Sequence, residues 1–197
     1  MSFYQILLYI SIVSNIIAYT IYLGFIIKNK IKPHGITYLV WAIILGLNFI
    51  IQIVSGVGIS SALLGFNFIG CFLIFILCYK KGYINYDKLD WICFGLAILA
   101  VVVWIISKTP IYSVILSCVI DLLALIPSFR KSFSKPWDDS PIAFWTSGAE
   151  YLISLPSYNI YSVVSLLYPV FVLSIDFIYA IFISIRRLQL KKLTSLT

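Results

Sequence analysis

"LLALIPSFRKSFSKPWDDSPIAFW", running from Leu122 to Trp145, sets an apolar run against a proline, a basic stretch, an acidic pair and a second apolar run. A helix satisfies its own backbone in lipid, whereas charged connecting residues need water. The stretch therefore reads as a turn between two membrane-embedded helices. Pro127 ends or kinks the first of them near the interface. As a kink it would be a hinge.

The rest of the chain has the same character. Its 197 residues are 62% hydrophobic and 11% charged, with a mean hydropathy of +1.06. A soluble domain of this length needs more charge to keep its surface wet. The chain is an integral, multi-pass membrane protein of all-α class. The net charge of +7 is therefore no footprint of nucleic acid; what matters is where the charges sit. Cys71, Cys78, Cys93 and Cys118 all fall within apolar runs, none in a CxxC spacing. They read as small buried hydrophobes and not as metal ligands. The first apolar run has no basic residue before it and carries its positive charges after it, so it is expected to stay as a helix.

A spanning helix needs about 20 mostly apolar residues. Seven segments qualify or come close: 4–27, 35–55, 60–79, 90–106, 111–129, 141–156 and 160–185, the fourth and sixth being short. The second and third are separated only by "SGVGIS", where Gly56 and Gly58 supply the break. Counted round the loops, Lys28, Lys30, Lys32, Lys80, Lys81, Lys88, Arg130, Lys131, Lys135, Arg186, Arg187, Lys191 and Lys192 fall on one side, and Lys108 alone on the other. Cytoplasmic loops carry the Lys/Arg excess. The N-terminus is expected outside and the C-terminus in the cytoplasm, in a bacterial inner (plasma) membrane.

Phe25–Ile43, "FIIKNKIKPHGITYLVWAI", parallels Ser128–Trp145. Each stretch ends a helix, gives basic residues and then Lys-Pro (Lys32-Pro33, Lys135-Pro136), and opens a helix with a Trp (Trp41, Trp145). The third helix of each half ends in a basic pair, Lys80-Lys81 and Arg186-Arg187. The expected organisation is a triple-helix bundle over 1–82, a linker helix over 83–110, and a second bundle with a basic tail over 111–197. With one helix between them, the repeats are parallel.

A 3+1+3 chain of this size resembles the SWEET/PQ-loop group of small seven-helix transporters, whose general fold KDEL receptors share. "LIPSFRKSFSKPWDDS" (Leu125–Ser140) carries the likeness: proline near the cytoplasmic end of the fifth helix, basic residues, and a Ser-containing lead into the sixth. Ser128 stands where the defining glutamine belongs, and Gly24 where the first half would have proline. The resemblance implies alternating access, with Pro127 as a hinge near the cytoplasmic gate.

Four acids, Asp87, Asp90, Asp138 and Asp139, lie in basic connections and read as solvated partners of lysines. Asp121, Glu150 and Asp176 fall inside apolar helices five, six and seven. Counting from Arg130, Ser140 and Arg186, all three sit roughly 13–15 Å from the cytoplasmic boundary. No Lys or Arg shares that depth. A carboxylate there is protonated, wetted or facing a cation, which points to proton or cation binding. The other reading is a protonated acid acting as interhelical glue.

The first unit offers amides: Asn15, Asn48, Gln52 and Asn67. Asn48 and Gln52 share a helix face. Counted from Lys28, His34 and Lys80, the amides form a separate layer roughly 20 Å from the cytoplasmic side. They read as ligand groups or as interhelical hydrogen bonds. The resemblance implies an asparagine site on the third and seventh helices of sugar transporters; Asn67 matches the former, and the seventh helix offers Asp176. Pro169 is expected to kink the seventh helix. Trp41, Trp91, Trp145 and many tyrosines read as an interfacial belt, Trp104 and Tyr151 as possible cavity residues, and His34 as a solvated loop residue. The tail "RRLQLKK" is expected at anionic lipid.

No phosphate-binding glycine loop, zinc motif or nucleophile triad occurs. Neither an enzyme nor a cofactor is expected. The expectation is a transporter or facilitator of a small polar or cationic solute, with proton coupling through Asp121, Glu150 or Asp176. A seven-helix receptor or a structural membrane partner is the alternative.

Overall fold

The computed structural model describes residues 3–81, 87–107 and 109–194. Lys108 and the side chains of Cys93 and Trp104 lie outside the described residues. The α-helices are α1 (Phe3–Ile27), α2 (Gly35–Val54), α3 (Ala62–Lys81), α4 (Lys88–Ser107), α5 (Pro110–Ser134), α6 (Pro141–Ser154) and α7 (Val163–Thr194), with short 3-10 turns at Gly58–Ser61, Pro136–Asp138 and Leu155–Ser157. Six of the helices are long and apolar enough to cross a membrane. The exception is α6, whose 14 residues rise about 21 Å, short of the ~30 Å hydrocarbon layer.

Local chemistry sets the boundaries. Gly56 has φ +80°, Val57 N–H donates to Gln52 O and Gly56 N–H to Ile53 O, both at 3.0 Å. This left-handed cap closes α2 where the "SGVGIS" break was expected. Asn29, at φ 54°, caps α1 in the same way, with Lys30 N–H on Phe25 O at 2.9 Å. Pro110 and Pro141 each occupy the first turn of a helix, where a missing N–H costs nothing. Pro127 does not end α5, which continues to Ser134. The tail is helical to Thr194.

The basic connections meet at one end. Lys32 N–H donates to Asp138 O (3.1 Å), Lys131 Nζ to Lys32 O (2.9 Å), Lys81 Nζ to Ile27 O (2.7 Å) and Arg186 Nε to Phe133 O (2.8 Å). Arg130 pairs with Asp87 at an exposed site, as expected for a solvated pair. Asp90 and Asp139 depart from that expectation. Asp90 is buried with its Oδ2 3.4 Å from Nε2 of a His34 that is itself only 3% exposed. Asp139 is likewise 3% exposed. Asp90 sits in the first turn of α4 against His34, and the lead into α6 packs against the bundle, so both acids find fixed partners.

Packing gives the three helices on each side of α4 the same order. In the first set α3 lies between α1 and α2; in the second, α7 lies between α5 and α6. Across the two sets α1 packs on α6 and α2 on α5. Exchanging α1, α2 and α3 for α5, α6 and α7 turns one of these contacts into the other. α4 packs against α5 and α2.

Candidate functional site

A cavity of about 80 Å³ lies where the two sets of helices meet. Asp121 (α5), Glu150 (α6) and Asp176 (α7) all line it, with Asn15 (α1) and Asn67 (α3). None of its lining residues is basic. The rest of the wall is mostly aromatic or aliphatic, with Tyr19, Tyr22, Tyr38, Trp41, Tyr151 and Tyr168 prominent.

Asn15 ties the amides to the acids. Its Nδ2 donates to Glu150 Oε2 at 2.7 Å and to Asn67 Oδ1 at 3.1 Å. Ser14 Oγ donates to Glu150 Oε1 at 3.2 Å, and Tyr19 OH to Asn67 Oδ1 at 3.0 Å. Gly70 makes the last bond reachable: a Cβ there would overlap the Tyr19 ring, so only glycine lets that ring lie flat against α3. Two of the four amides, Asn15 and Asn67, thus share one network with Glu150, where separate amide and acid layers were expected. Depth counting failed at α6 because Ser140, taken as a surface marker, is buried with Asp139, and the helix starts inside the bundle.

Asp121, 5% exposed, accepts from Tyr168 OH through Oδ2 at 3.2 Å. Asp176 is partly exposed and lines the cavity, as does Ser147 of α6. Two donors on lining residues have no hydrogen-bond partner. Tyr151 OH is one, on a side chain 1% exposed. Trp41 Nε1 is the other; it points toward Asp121 without closing a hydrogen bond. Trp41 is therefore a wall residue and no interfacial belt residue.

At the basic end of the cavity Tyr22 and Tyr38 of its wall belong to a hydrogen-bonded plug. Tyr38 OH donates to Tyr22 OH (2.8 Å), and Tyr22 OH donates to Asp139 Oδ1 (3.0 Å). Asp139 Oδ2 also accepts from Tyr179 OH (3.2 Å) and lies 3.3 Å from Lys131 Nζ. Arg187 donates to the carbonyls of Pro136 and Asp139. The plug joins α1, α2, α5, α7 and the lead into α6.

Asn48 and Gln52 stand away from the cavity. Asn48 Nδ2 bonds its own helix at Ile44 O (2.9 Å). Gln52 Nε2 donates to Ser165 O at 3.1 Å, the carbonyl that Pro169, lacking an N–H, leaves open four residues upstream. At the other proline, Thr37 Oγ1 of α2 donates to Ala124 O at 3.1 Å, within the turn that Pro127 interrupts. Pro127 and Pro169 are both interior to their helices.

Tyr19, Tyr22 and Tyr38 read from the sequence as belt tyrosines, and the plug they help to form was not expected. The signal was periodicity: Asn15, Tyr19 and Tyr22 follow at i, i+4 and i+7, and Tyr38, Trp41 and Leu45 share one stripe.

Fold and site together define an all-α, multi-pass membrane protein with an acid-lined chamber between two sets of helices. Comparison with family models, with curated proteins and with solved structures returns no match.

Proposed function

We propose that this chain is a carrier or facilitator for a small polar or cationic solute, working by alternating access between two three-helix units over 1–82 and 111–197. The observation that carries the reading is the chamber itself. It lies at the boundary of the two units, holds three carboxylates and no basic residue, and has the Tyr22–Asp139 plug at one end. The exchange-symmetric packing of α1–α3 and α5–α7 supports the parallel-repeat plan and the resemblance to the SWEET/PQ-loop group.

In this reading all seven helices cross, with α6 completed by the Leu155–Ser157 turn. The basic end is cytoplasmic, so the N-terminus is outside and the basic tail meets anionic lipid. The plug then marks a state closed to the cytoplasm. Asp121, Glu150 and Asp176 bind the solute or a coupled proton; Asn15 and Asn67 orient Glu150.

The test is uptake into proteoliposomes, with labelled sugars, amino acids, amines and vitamins offered with and without a pH gradient. Wild type is compared with Asp121→Asn and Asp176→Asn. Saturable uptake that falls at least tenfold in either variant is expected. Folded, monodisperse protein that moves none of the panel would sink the carrier reading and favour a receptor or structural role.

A further inference from the structure

We infer that the groove between α1 and α6 binds one anionic phospholipid from the leaflet at the basic face, with its phosphate at the start of α6 and an acyl chain between the two helices. The inference rests on these helices lying in the bilayer and not on any solute crossing it.

The groove has a volume of about 130 Å³. Its lining runs along α1 from Ser14 to Phe25 and along the start of α6 from Ser140 to Thr146, and none of the lining residues is charged. Ser14 bonds Glu150 and Tyr22 bonds Asp139, so the two helices run antiparallel and the Phe25–Ser140 end of the groove is the basic end. Ile17, Ile21 and Ile142 on its walls are exposed. From Ser14 to Phe25 the helix rises about 16 Å, about half of the ~30 Å hydrocarbon layer. The groove thus spans one leaflet, the reach of an acyl chain hung from the interface.

The head of the groove is polar. Ser140 lines it and is the N-cap of α6, yet its hydroxyl makes no cap bond. The residue is only 9% exposed, and Oγ has no partner among the described residues while keeping accessible surface, unlike the sealed Tyr151 hydroxyl. The first N–H groups of a helix have no intrahelical acceptor, and together with the helix dipole they favour a phosphate. Lys30 stands at the same end, its Nζ 5.7 Å from the centre of the Phe25 ring. Lys32 N–H on Asp138 O at 3.1 Å brings that lysine-bearing connection beside the lead into α6. Of the two acids there, Asp139 is held by Lys131 at 3.3 Å, and Asp138 is outnumbered by Lys28, Lys30 and Lys32. An anion at the head and an alkyl chain along the groove meet both halves. A helix from a second copy would cover the isoleucines and leave the Ser140 hydroxyl and the first N–H groups of α6 unmet.

The site adjoins the chamber. Ala18, Tyr22, Ala143 and Thr146 line both, so the acyl chain packs against residues that also wall the chamber.

The experiment is photocrosslinking of the full chain in detergent micelles with a phosphatidylglycerol that carries a diazirine near the end of one acyl chain, the labelled residues being read by mass spectrometry. Unlabelled phosphatidylglycerol, phosphatidylcholine and diacylglycerol of the same chains compete, as does glycerol phosphate. Labelling is expected to concentrate at Ser14, Ile17 and Thr146. Phosphatidylglycerol should compete at least about fivefold better than phosphatidylcholine, which lacks the net charge, or diacylglycerol, which lacks the phosphate. Glycerol phosphate, which lacks the chain, should compete far more weakly than either. Lys30→Gln combined with Ser140→Ala should bring phosphatidylglycerol down toward diacylglycerol and leave diacylglycerol unchanged, a change of selectivity that a folding defect would not produce. The inference is overturned if labelling spreads evenly over the exposed faces of α1, α4 and α7, or if phosphatidylcholine or diacylglycerol equals phosphatidylglycerol on the wild type. Glycerol phosphate competing as well as the lipid would make this a free-phosphate site and overturn it too. An equal loss in Lys191→Gln/Lys192→Gln would assign the preference to the basic tail and also overturn it. The wild-type series decides the matter even if the variants fail to fold.

Discussion

Replacing Tyr22 with Phe tests whether the plug at Asp139 is a gate. The Tyr22 hydroxyl has two roles: it donates to Asp139 Oδ1 at 3.0 Å and accepts from Tyr38 at 2.8 Å. Phe removes both bonds and keeps the ring. In an opened state water replaces them, so each is worth about 0.5–1.5 kcal/mol net. Two such bonds sum to about 1–3 kcal/mol; with Asp139 still held by other partners, the shift toward opening is expected in the lower part of that span, about 1–2 kcal/mol, a factor of about 5–30. Lys131 and Tyr179 still hold Asp139, which keeps the change moderate. Cys71 lines the chamber beyond the plug and serves as the reporter. With Cys78, Cys93 and Cys118 replaced by Ala, an impermeant thiol reagent is applied to either face of oriented vesicles. Labelling from the basic face should rise about 5–30-fold in Tyr22→Phe, with no comparable rise from the other face. An unchanged rate, or equal rises from both faces, would show that these bonds do not control access.

Two further predictions concern elements around the chamber. Gln52→Leu orphans the Ser165 carbonyl and should lower unfolding stability by about 0.5–2 kcal/mol. In a Pro169→Ala background the restored N–H serves that carbonyl, so the same change should cost close to nothing; equal costs in both backgrounds, measured by denaturant titration in bicelles, would refute the compensation. Burial, aided by Lys131 and opposed by Asp90, pushes the His34 imidazole below its ordinary value of 6.5. The unfolded chain then binds the proton first on acidification, so stability is highest above pH 6.5 and falls as pH drops below it. His34→Gln should flatten the thermal midpoint over that window, and a wild type that gains stability on acidification would contradict the sign.

The elements were readable because apolar length and charge punctuation are strong local signals. The "SGVGIS" break fell where Gly56 adopts positive φ. What could not be read was where a polar residue ends up once its connection folds inward. Asp139 and His34 look like surface residues in any window that sees only their neighbours Lys135 and Lys32. Asp139 is buried because the lead into α6 packs against α1 and α7, where Tyr22 and Tyr179 reach it, and His34 because Asp90 of α4 lies against it; both are long-range facts. The same packing of that lead displaced the depth scale for Glu150, which is why Asn15 and Glu150 were assigned to different layers although they are 2.7 Å apart. Gln52 was misplaced for a related reason. Its role depends on a proline more than a hundred residues away, and nothing near position 52 signals it.

The prolines give the second set of helices its weak points, and α2 supports both of them. Near the basic end Thr37 reaches Ala124 O in the turn broken by Pro127; near the opposite end Gln52 reaches Ser165 O below Pro169. The two contacts sit at opposite ends of one helix and bind different partners, α5 and α7. A motion that separates α2 from α5 at the basic end breaks the first and can leave the second intact, and a motion at the other end does the opposite. The Ser165 carbonyl has no intrahelical N–H donor, and the Thr37 hydroxyl has its acceptor in the turn broken by Pro127, so breaking either bond exposes a group that must find water. Water is available at an end only when that end is open. Each contact is therefore released only at the end being hydrated, which makes opening both ends together costlier than opening either alone.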